Sequence, residues 1–252
     1  MEIKGKKAVV VGGASGMAKA SAELLKARGA DIAIVDLPTS KGAEVAKSLG
    51  GPFFDCNVMD EEQTEAALRG AVEALGGVHI SVNTAGGATA KRTLTREGPH
   101  PLADFRRIIE LNLISAFNIS RLLADAMTKN EPEDGERGVI INTASIAAFE
   151  GQIGQVAYSA AKSGIAGMTF TMARDLGSLG IRAVAIAPSL FATGLTAGIP
   201  DQFAENLTKD AAFPRRMGRP EEYGKLVVAI VDNPMLNGGT IRLDAGQRFA
   251  PK

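Results

Sequence analysis

Ala8-Val9-Val10-Val11-Gly12-Gly13-Ala14-Ser15-Gly16-Met17-Ala18 is an apolar, β-branched run that breaks into a glycine-rich turn and opens a helical stretch, Met17 to Arg28, closed by Gly29. Glycines in such a turn let the backbone bend tightly and approach an anion, whose charge is met by free N–H groups and by the positive end of the helix. Working outward, the runs Asp31–Asp36, Pro52–Asn57, His79–Asn83, Val139–Thr143, Arg182–Ala187 and Thr240–Asp244 also read as strands. Helical stretches are expected over Glu61–Leu75, Leu102–Lys129, Gln155–Leu176 and Glu221–Val231. Continuous apolar runs such as Val139-Ile140-Ile141 and Val184-Ala185-Ile186 suit strands buried on both faces. The alternation predicts an α/β, doubly wound, mostly parallel sheet of about seven strands flanked by helices.

The chain has 252 residues, with 28 Lys plus Arg against 28 Asp plus Glu, 45% hydrophobic residues, one cysteine and no tryptophan. This is the size of one domain, expected over residues 1–252. Zero formal net charge gives no basic footprint for nucleic acid, and one Cys with two His makes a His/Cys metal site unexpected. Ala183–Pro200 is charge-poor, but Pro188, Gly194 and Pro200 make it a strand entering a loop rather than a membrane span. With no Arg-rich presequence before the first strand, cytoplasm is the expected compartment, with the mitochondrial matrix as the alternative. Three stretches fit no regular element: Thr89–Pro101, Asn130–Gly138 and Ser189–Pro214. The last carries Leu190, Phe191, Leu195, Ile199, Phe203, Leu207 and Phe213, which suits an apolar substrate lid at about 189–214 or a short helix pair packed on the core.

Two constellations carry chemistry. Asp36 ends the second strand about 20 residues beyond Gly16, where a carboxylate accepts hydrogen bonds from an adenosine ribose. It repels a 2′-phosphate, and neither Leu37 nor Pro38 supplies a cation, so the pattern favours NAD over NADP. Tyr158 and Lys162 are four apart on one helical face, with Ser145 thirteen positions before Tyr158 at a strand end. Lowering a tyrosine pKa by two to three units takes roughly 3 to 4 kcal/mol. An ammonium about 5 Å away at an effective dielectric of about 20 supplies roughly 3 kcal/mol, so Tyr158 could exchange a proton while Ser145 holds the substrate oxygen. The spacing alone fits an ordinary tyrosine with a snorkelling lysine equally well.

The Val11–Ala18 turn, Asn83-Thr84-Ala85-Gly86, Asn112 in Leu111-Asn112-Leu113, Ser145, Tyr158-x-x-x-Lys162 and Asp244-Ala245-Gly246 occur in the order and spacing of the short-chain dehydrogenases/reductases, which the chain resembles over nearly its whole length. Asp36-Leu37-Pro38, Asn130-Glu131-Pro132, Arg137–Ser145, Ala147–Gln152, Leu236-Asn237-Gly238 and Ile241–Asp244 resemble the subgroup acting on 3-hydroxyacyl-CoA thioesters and hydroxysteroids. The resemblance implies a Rossmann-like fold and catalytic Ser145, Tyr158 and Lys162, with Asn112 holding a water that continues the proton relay. It implies cofactor contacts from Gly12, Ser15, Gly16 and Met17 at the pyrophosphate, Asp36 at the ribose, and Asn57 and Val58 at the adenine. Thr84, Ala85, Gly86, Tyr158 and Lys162 would serve the second ribose, and Pro188, Phe191 and Thr193 the carboxamide end. It further implies a homotetramer with contact surfaces on the long helices around Asn112 and Tyr158.

Val11, Ala18, Asn57, His79 and Ser189 depart from the family pattern, and none removes a catalytic group. Substrate contacts are expected from Ser145 and Tyr158, with Gln152 and Gln155 as further candidates, while Cys56, His79 and His100 read as structural. The function expected is NAD-dependent interconversion of a secondary alcohol and a ketone, on a 3-hydroxyacyl-CoA or a hydroxysteroid. The alternatives are an NADPH-dependent 3-oxoacyl carrier-protein reductase and a non-catalytic scaffold subunit.

Overall fold

β1 (Lys7–Val11) lies near the middle of a seven-stranded sheet in which every neighbouring pair is parallel, in the order β3-β2-β1-β4-β7-β8-β9. The other strands are β2 (Asp31–Asp36), β3 (Phe53–Asp55), β4 (Ile80–Asn83), β7 (Gly138–Thr143), β8 (Ile181–Pro188) and β9 (Thr240–Leu243). The computed structural model describes residues 1–193 and 207–249. Side chains of successive strand residues enter opposite cores: Val10, Ile34 and Ile141 face one layer, and Val9, Val11, Ala33, Val35 and Ile140 the other. Because both faces are covered, β7 and β8 are buried from end to end, which is why they read as unbroken apolar runs.

The helices are α1 (Gly16–Ala27), α2 (Gly42–Ser48), α3 (Glu61–Leu75), α4 (Leu102–Ile109), α5 (Ser115–Met127), α6 (Val156–Gly177) and α7 (Pro220–Asp232). α3 is capped at both ends: Asp60 accepts from the Gln63 N–H at 3.0 Å, and Gly76 closes the helix at φ +69°. The stretch expected as one helix over Leu102–Lys129 is interrupted by a π turn, Glu110–Ile114. That wider turn buries Asn112, whose Nδ2 donates to the carbonyls of Ile108 (3.0 Å) and Gly87 (2.9 Å) while its Oδ1 accepts from the Gly87 N–H at 3.2 Å.

The irregular stretches have local structure of their own. Thr89–Pro101 contains a small antiparallel pair, β5 (Leu94–Thr95) with β6 (Gly98–Pro99). Asn130–Gly138 is a tight turn in which Glu133 and Glu136 exchange backbone hydrogen bonds around Asp134 (φ +49°) and Gly135 (φ +82°). At the start of the expected lid, Leu190–Ala192 pairs with Gly218, and Phe191 is buried, whereas Leu207 and Phe213 are exposed. Leu195, Ile199 and Phe203 lie outside the described residues.

Candidate active site

The chain runs outward from β1 through β2 to β3, then crosses back to β4 on the other side of β1. Ligands of open parallel sheets bind at this reversal, beyond the carboxyl ends of the strands. A cavity of about 420 Å³ opens there, lined by Val11, Gly12, Ser15, Gly16, Met17, Asp36, Asn57, Val58, Thr84, Ala85, Gly86 and Thr193 of the residues expected from the sequence. Leu37, Cys56, Met59 and Leu111 complete the wall. Cys56 is buried as expected for a structural thiol, and burial pushes its pKa up; its place in the wall had no sequence signal beyond adjacency to Asn57.

Gly12 has φ +79°, and a Cβ there would stand 2.8 Å from the Thr84 hydroxyl, so the turn and the end of β4 approach too closely for any other residue. Ser15 is the N-cap of α1, yet its side chain makes no capping hydrogen bond, so the first-turn N–H groups of α1 are presented to the cavity without a side-chain cap. Ala18, in place of the glycine usual for this turn, is fully buried in the packing of α1 on the sheet. At the far side Asp36 accepts from the Ala14 N–H through Oδ2 (2.8 Å) and the Leu37 N–H through Oδ1 (2.7 Å). These bonds aim the carboxylate across the glycine turn.

The cavity ends at Gly86, where a Cβ would lie 2.5 Å from Asn112 Oδ1 and 3.5 Å from Lys162 Nζ. Lys162 is buried, and its ammonium donates to the Thr143 carbonyl at 2.8 Å. Burial lowers its pKa to about 8. The ammonium stands 5.6 Å from the centroid of the Tyr158 ring. Burial raises the Tyr158 phenol above its ordinary value, and a hydrogen bond with the Ser145 side chain opposes that shift. Ser145 lies two residues beyond β7 and caps a 3-10 turn, Ile146–Ala148, where its Oγ accepts from the Ala147 N–H at 3.1 Å. Ser145, Tyr158, Lys162 and Asn112 thus converge beside Gly86 of the cavity wall, from the turn after β7, from α6 and from the π turn. A proton carrier, its neighbouring cation and a hydroxyl for the reacting oxygen stand together, which suits proton exchange with an alcohol or a carbonyl.

The remaining candidates are dispersed. Gln152 lines an open groove of about 620 Å³ with Arg92, Leu94, Ile153, Val156 and Ser159, while the Gln155 side chain is turned back to accept from the Gln152 N–H at 3.0 Å. Pro188 ends β8, and the Phe191 ring packs edge-on against Tyr223, at the wall of a 250 Å³ recess rather than of the large cavity. His79 Nδ1 accepts from the Lys7 N–H at 3.3 Å, and burial lowers its pKa, so it is a neutral structural group. Among the described residues no group of three or more His, Cys, Asp or Glu could hold a metal ion, and no helix is long and apolar enough to cross a membrane.

A family model described as enoyl-(acyl carrier protein) reductase matches residues 12–248. The 3-hydroxyacyl-CoA dehydrogenase type-2 of Rattus norvegicus is 49% identical over 99% of this chain and 97% of its own, and the protein of that name from Drosophila melanogaster is 48% identical over 99% and 100%. The chain belongs to the short-chain dehydrogenase/reductase family. The crystal structure of 3-hydroxyacyl-CoA dehydrogenase type-2 from Mycobacterium avium superposes with a TM-score of 0.94, at 39% identity and 98% coverage of both chains. Membership makes the chain an oxidoreductase with a nicotinamide cofactor. The residues fit that group: close-approach glycines and helix N–H groups suit a pyrophosphate, and Asp36 suits a ribose diol. The residue that sequence reading passed over is Tyr223 of α7, fully buried, with its hydroxyl 2.7 Å from that of Thr143. Its one signal was negative: an amphipathic helix that needed only an apolar residue there holds a phenol.

Proposed function

We propose that the protein is an NAD-dependent dehydrogenase that interconverts the 3-hydroxy and 3-oxo forms of an acyl-CoA thioester. The observation that carries the reaction type is the convergence of Ser145, Tyr158 and Lys162 beside Gly86, which lines the glycine-rich cavity. The relatives named for 3-hydroxyacyl-CoA dehydrogenation support the substrate class. NAD is preferred because Asp36, held by two backbone N–H groups, would repel a 2′-phosphate in the same place.

In the oxidative direction Ser145 hydrogen-bonds the substrate hydroxyl and Tyr158, as phenolate, takes its proton. The carbinol carbon gives up its hydrogen with the bonding electron pair as the C=O bond forms. The bound nicotinamide supplies the hydride acceptor for that step. Lys162 favours the phenolate: its ammonium stands 5.6 Å from the centroid of the Tyr158 ring, and a cation there opposes the rise that burial imposes on the phenol. Asn112, fixed by three hydrogen bonds, would hold the water through which Lys162 passes the proton outward. Exposed Ile114 and Phe117 on one side and Val156 and Phe170 of α6 on the other support assembly as a homotetramer through these helices.

The test is initial-rate reduction of acetoacetyl-CoA with NADH and with NADPH, beside oxidation of a hydroxysteroid with NAD. Fast NADH-dependent turnover of the thioester is expected. A clear NADPH preference would shift the reading to a 3-oxoacyl carrier-protein reductase, and silence with every substrate would favour a scaffold role.

A further inference from the structure

The anchor of Lys162 is itself anchored by the chain's other tyrosine. Among the described residues, the buried ammonium makes one hydrogen bond, to the Thr143 carbonyl. The Thr143 side chain is in turn held on two sides: its hydroxyl donates to the Asn83 carbonyl at 2.6 Å and lies 2.7 Å from the Tyr223 hydroxyl. A carbonyl can only accept, so the threonine proton is committed to Asn83, and Tyr223 must be the donor to Thr143 Oγ1. The bonds therefore have one direction, from Tyr223 to Thr143 to the end of β4. Tyr223 comes from α7, packs edge-on against Phe191 with ring centroids 6.4 Å apart, and has no solvent exposure. Phenylalanine would fill nearly the same volume without the cost of burying a hydroxyl, so what distinguishes tyrosine here is the bond to Thr143.

We propose that Tyr223 is a positioning residue for the catalytic lysine: its hydroxyl locks Thr143, the residue whose carbonyl holds the Lys162 ammonium, and thereby tunes proton exchange at Tyr158. The proposal rests on the dehydrogenase reading. Without the Tyr223 hydroxyl, Thr143 keeps the Asn83 carbonyl and its place in the β7–β8 ladder but loses the one bond that fixes its hydroxyl from α7, so the carbonyl that holds the ammonium is less rigidly seated. The lysine cation is then less well held beside the Tyr158 oxygen, so the phenolate forms at higher pH. Facing this pair are Ser145 from the 3-10 turn, Asn112 from the π turn, Gly86 beyond β4 and Thr143 of β7, none of them titratable in this range. Among the described residues, Tyr223 from α7 is the one further titratable group, and burial keeps its phenol un-ionised well above the usual tyrosine range. Burial dominates at both groups, raising the Tyr158 phenol and lowering the Lys162 ammonium, and the Ser145 hydrogen bond opposes the Tyr158 shift.

The composition makes the test direct. With two tyrosines and no tryptophan, the tyrosinate absorbance of Tyr223→Phe reports Tyr158 alone, and that of Tyr158→Phe identifies the Tyr223 contribution in the parent protein. Titration of the full chain should show the Tyr158 ionisation moved upward by about half a unit or more in Tyr223→Phe and in Thr143→Val, and unmoved in Thr143→Ser, which keeps the hydroxyl. The double variant Tyr223→Phe/Thr143→Val should shift no further than either single one. The acid limb of the oxidation rate should move the same way, with kcat falling more than KM rises. Lowered melting temperature with an unchanged Tyr158 titration and pH–rate profile would overturn the proposal and leave Tyr223 a packing residue. If Tyr223→Phe fails to fold, the Thr143→Val and Thr143→Ser pair decides by the same titration. An inactive parent protein would instead count against the dehydrogenase reading, and the titration would still judge the role of Tyr223.

Discussion

The wall proposed to hold the cofactor and the loop proposed to face the substrate are held by different materials. On the cofactor side the wall is backbone: a turn of close-packed glycines, the N–H groups of α1 and a carboxylate pinned by Ala14 and Leu37. On the substrate side the loop between Ser145 and Tyr158 is held by side chains that meet from distant parts of the chain. Glu150 accepts from Arg242 NH1 at 2.9 Å and pairs with Arg248, and both arginines also reach Asp244. Gln247 then donates to the Leu207 carbonyl at 2.7 Å, and the Ala245 carbonyl accepts from the Ala212 and Phe213 N–H groups. A site made of backbone tolerates sequence change around fixed glycines, whereas a site made of ion pairs can be altered by exchanging one partner.

The largest expected effect lies where the two sides meet. Tyr158→Phe removes the proton carrier and leaves the cavity wall untouched, so turnover should fall by about 10²–10⁴-fold while NADH affinity, followed by fluorescence titration, changes by less than about threefold. Retained turnover would defeat the assignment. Asp36→Ala acts on the cofactor side alone: losing a charged acceptor of the ribose should lower kcat/KM for NADH by about 10- to 100-fold and spare NADPH. Equal losses with both cofactors would mean that Asp36 only braces the glycine turn through Ala14.

This division also governs what could be read in the sequence. The glycine turn, Asp36 and the seven strands were legible because each leaves a local pattern: a φ that needs glycine, a carboxylate at a strand end, an unbroken apolar run. Tyr158 and Lys162 were legible through their helical spacing. The break of the expected Leu102–Lys129 helix at Glu110–Ile114 was not, because the π turn is stabilised by the bonds of Asn112 to Gly87, twenty-five residues away in sequence. α2 was missed because its seven residues begin at a glycine tucked beneath Phe53 and carry no cap signal. Tyr223 was invisible for the same reason as the π turn: its purpose is set by a partner, Thr143, eighty residues away.

On the substrate side, Glu150→Gln keeps the shape and removes the charge between Arg242 and Arg248. Both members of the Glu150–Arg242 pair are about a quarter exposed, so breaking it should cost about 1 kcal/mol, a loss of about 2–4 °C in melting temperature. If the network positions the Ser145–Tyr158 loop, KM for the thioester should rise several-fold with NADH affinity unchanged. A melting-temperature loss with unaltered KM would reduce the network to a brace of the C-terminal segment.

The smallest effect is expected at the border of the two sides, where Arg216 follows the expected lid and Glu222 begins α7. Glu222 accepts from both terminal nitrogens of Arg216, at 2.9 and 2.7 Å, and from the Arg219 N–H at 2.7 Å. These bonds hold its carboxyl at about 2, below the ordinary glutamate value of about 4.3. A depressed folded-state pKa means stabilisation that is complete above the unfolded value and is lost as pH falls from about 4.3 towards 2. Both side chains are more than a third exposed, so solvent screening cuts the contribution to about 0.5–1 kcal/mol. Glu222→Gln should therefore lower the melting temperature by about 1–3 °C at neutral pH, and the gap from the parent protein should close as pH falls through that window or as salt is raised. A gap that stays constant from pH 7 to pH 2 would show that the carboxylate acts through the geometry of its hydrogen bonds rather than its charge. Turnover should be almost unchanged in either case, because the Arg216–Glu222 pair borders the recess behind Phe191 rather than the cavity mouth.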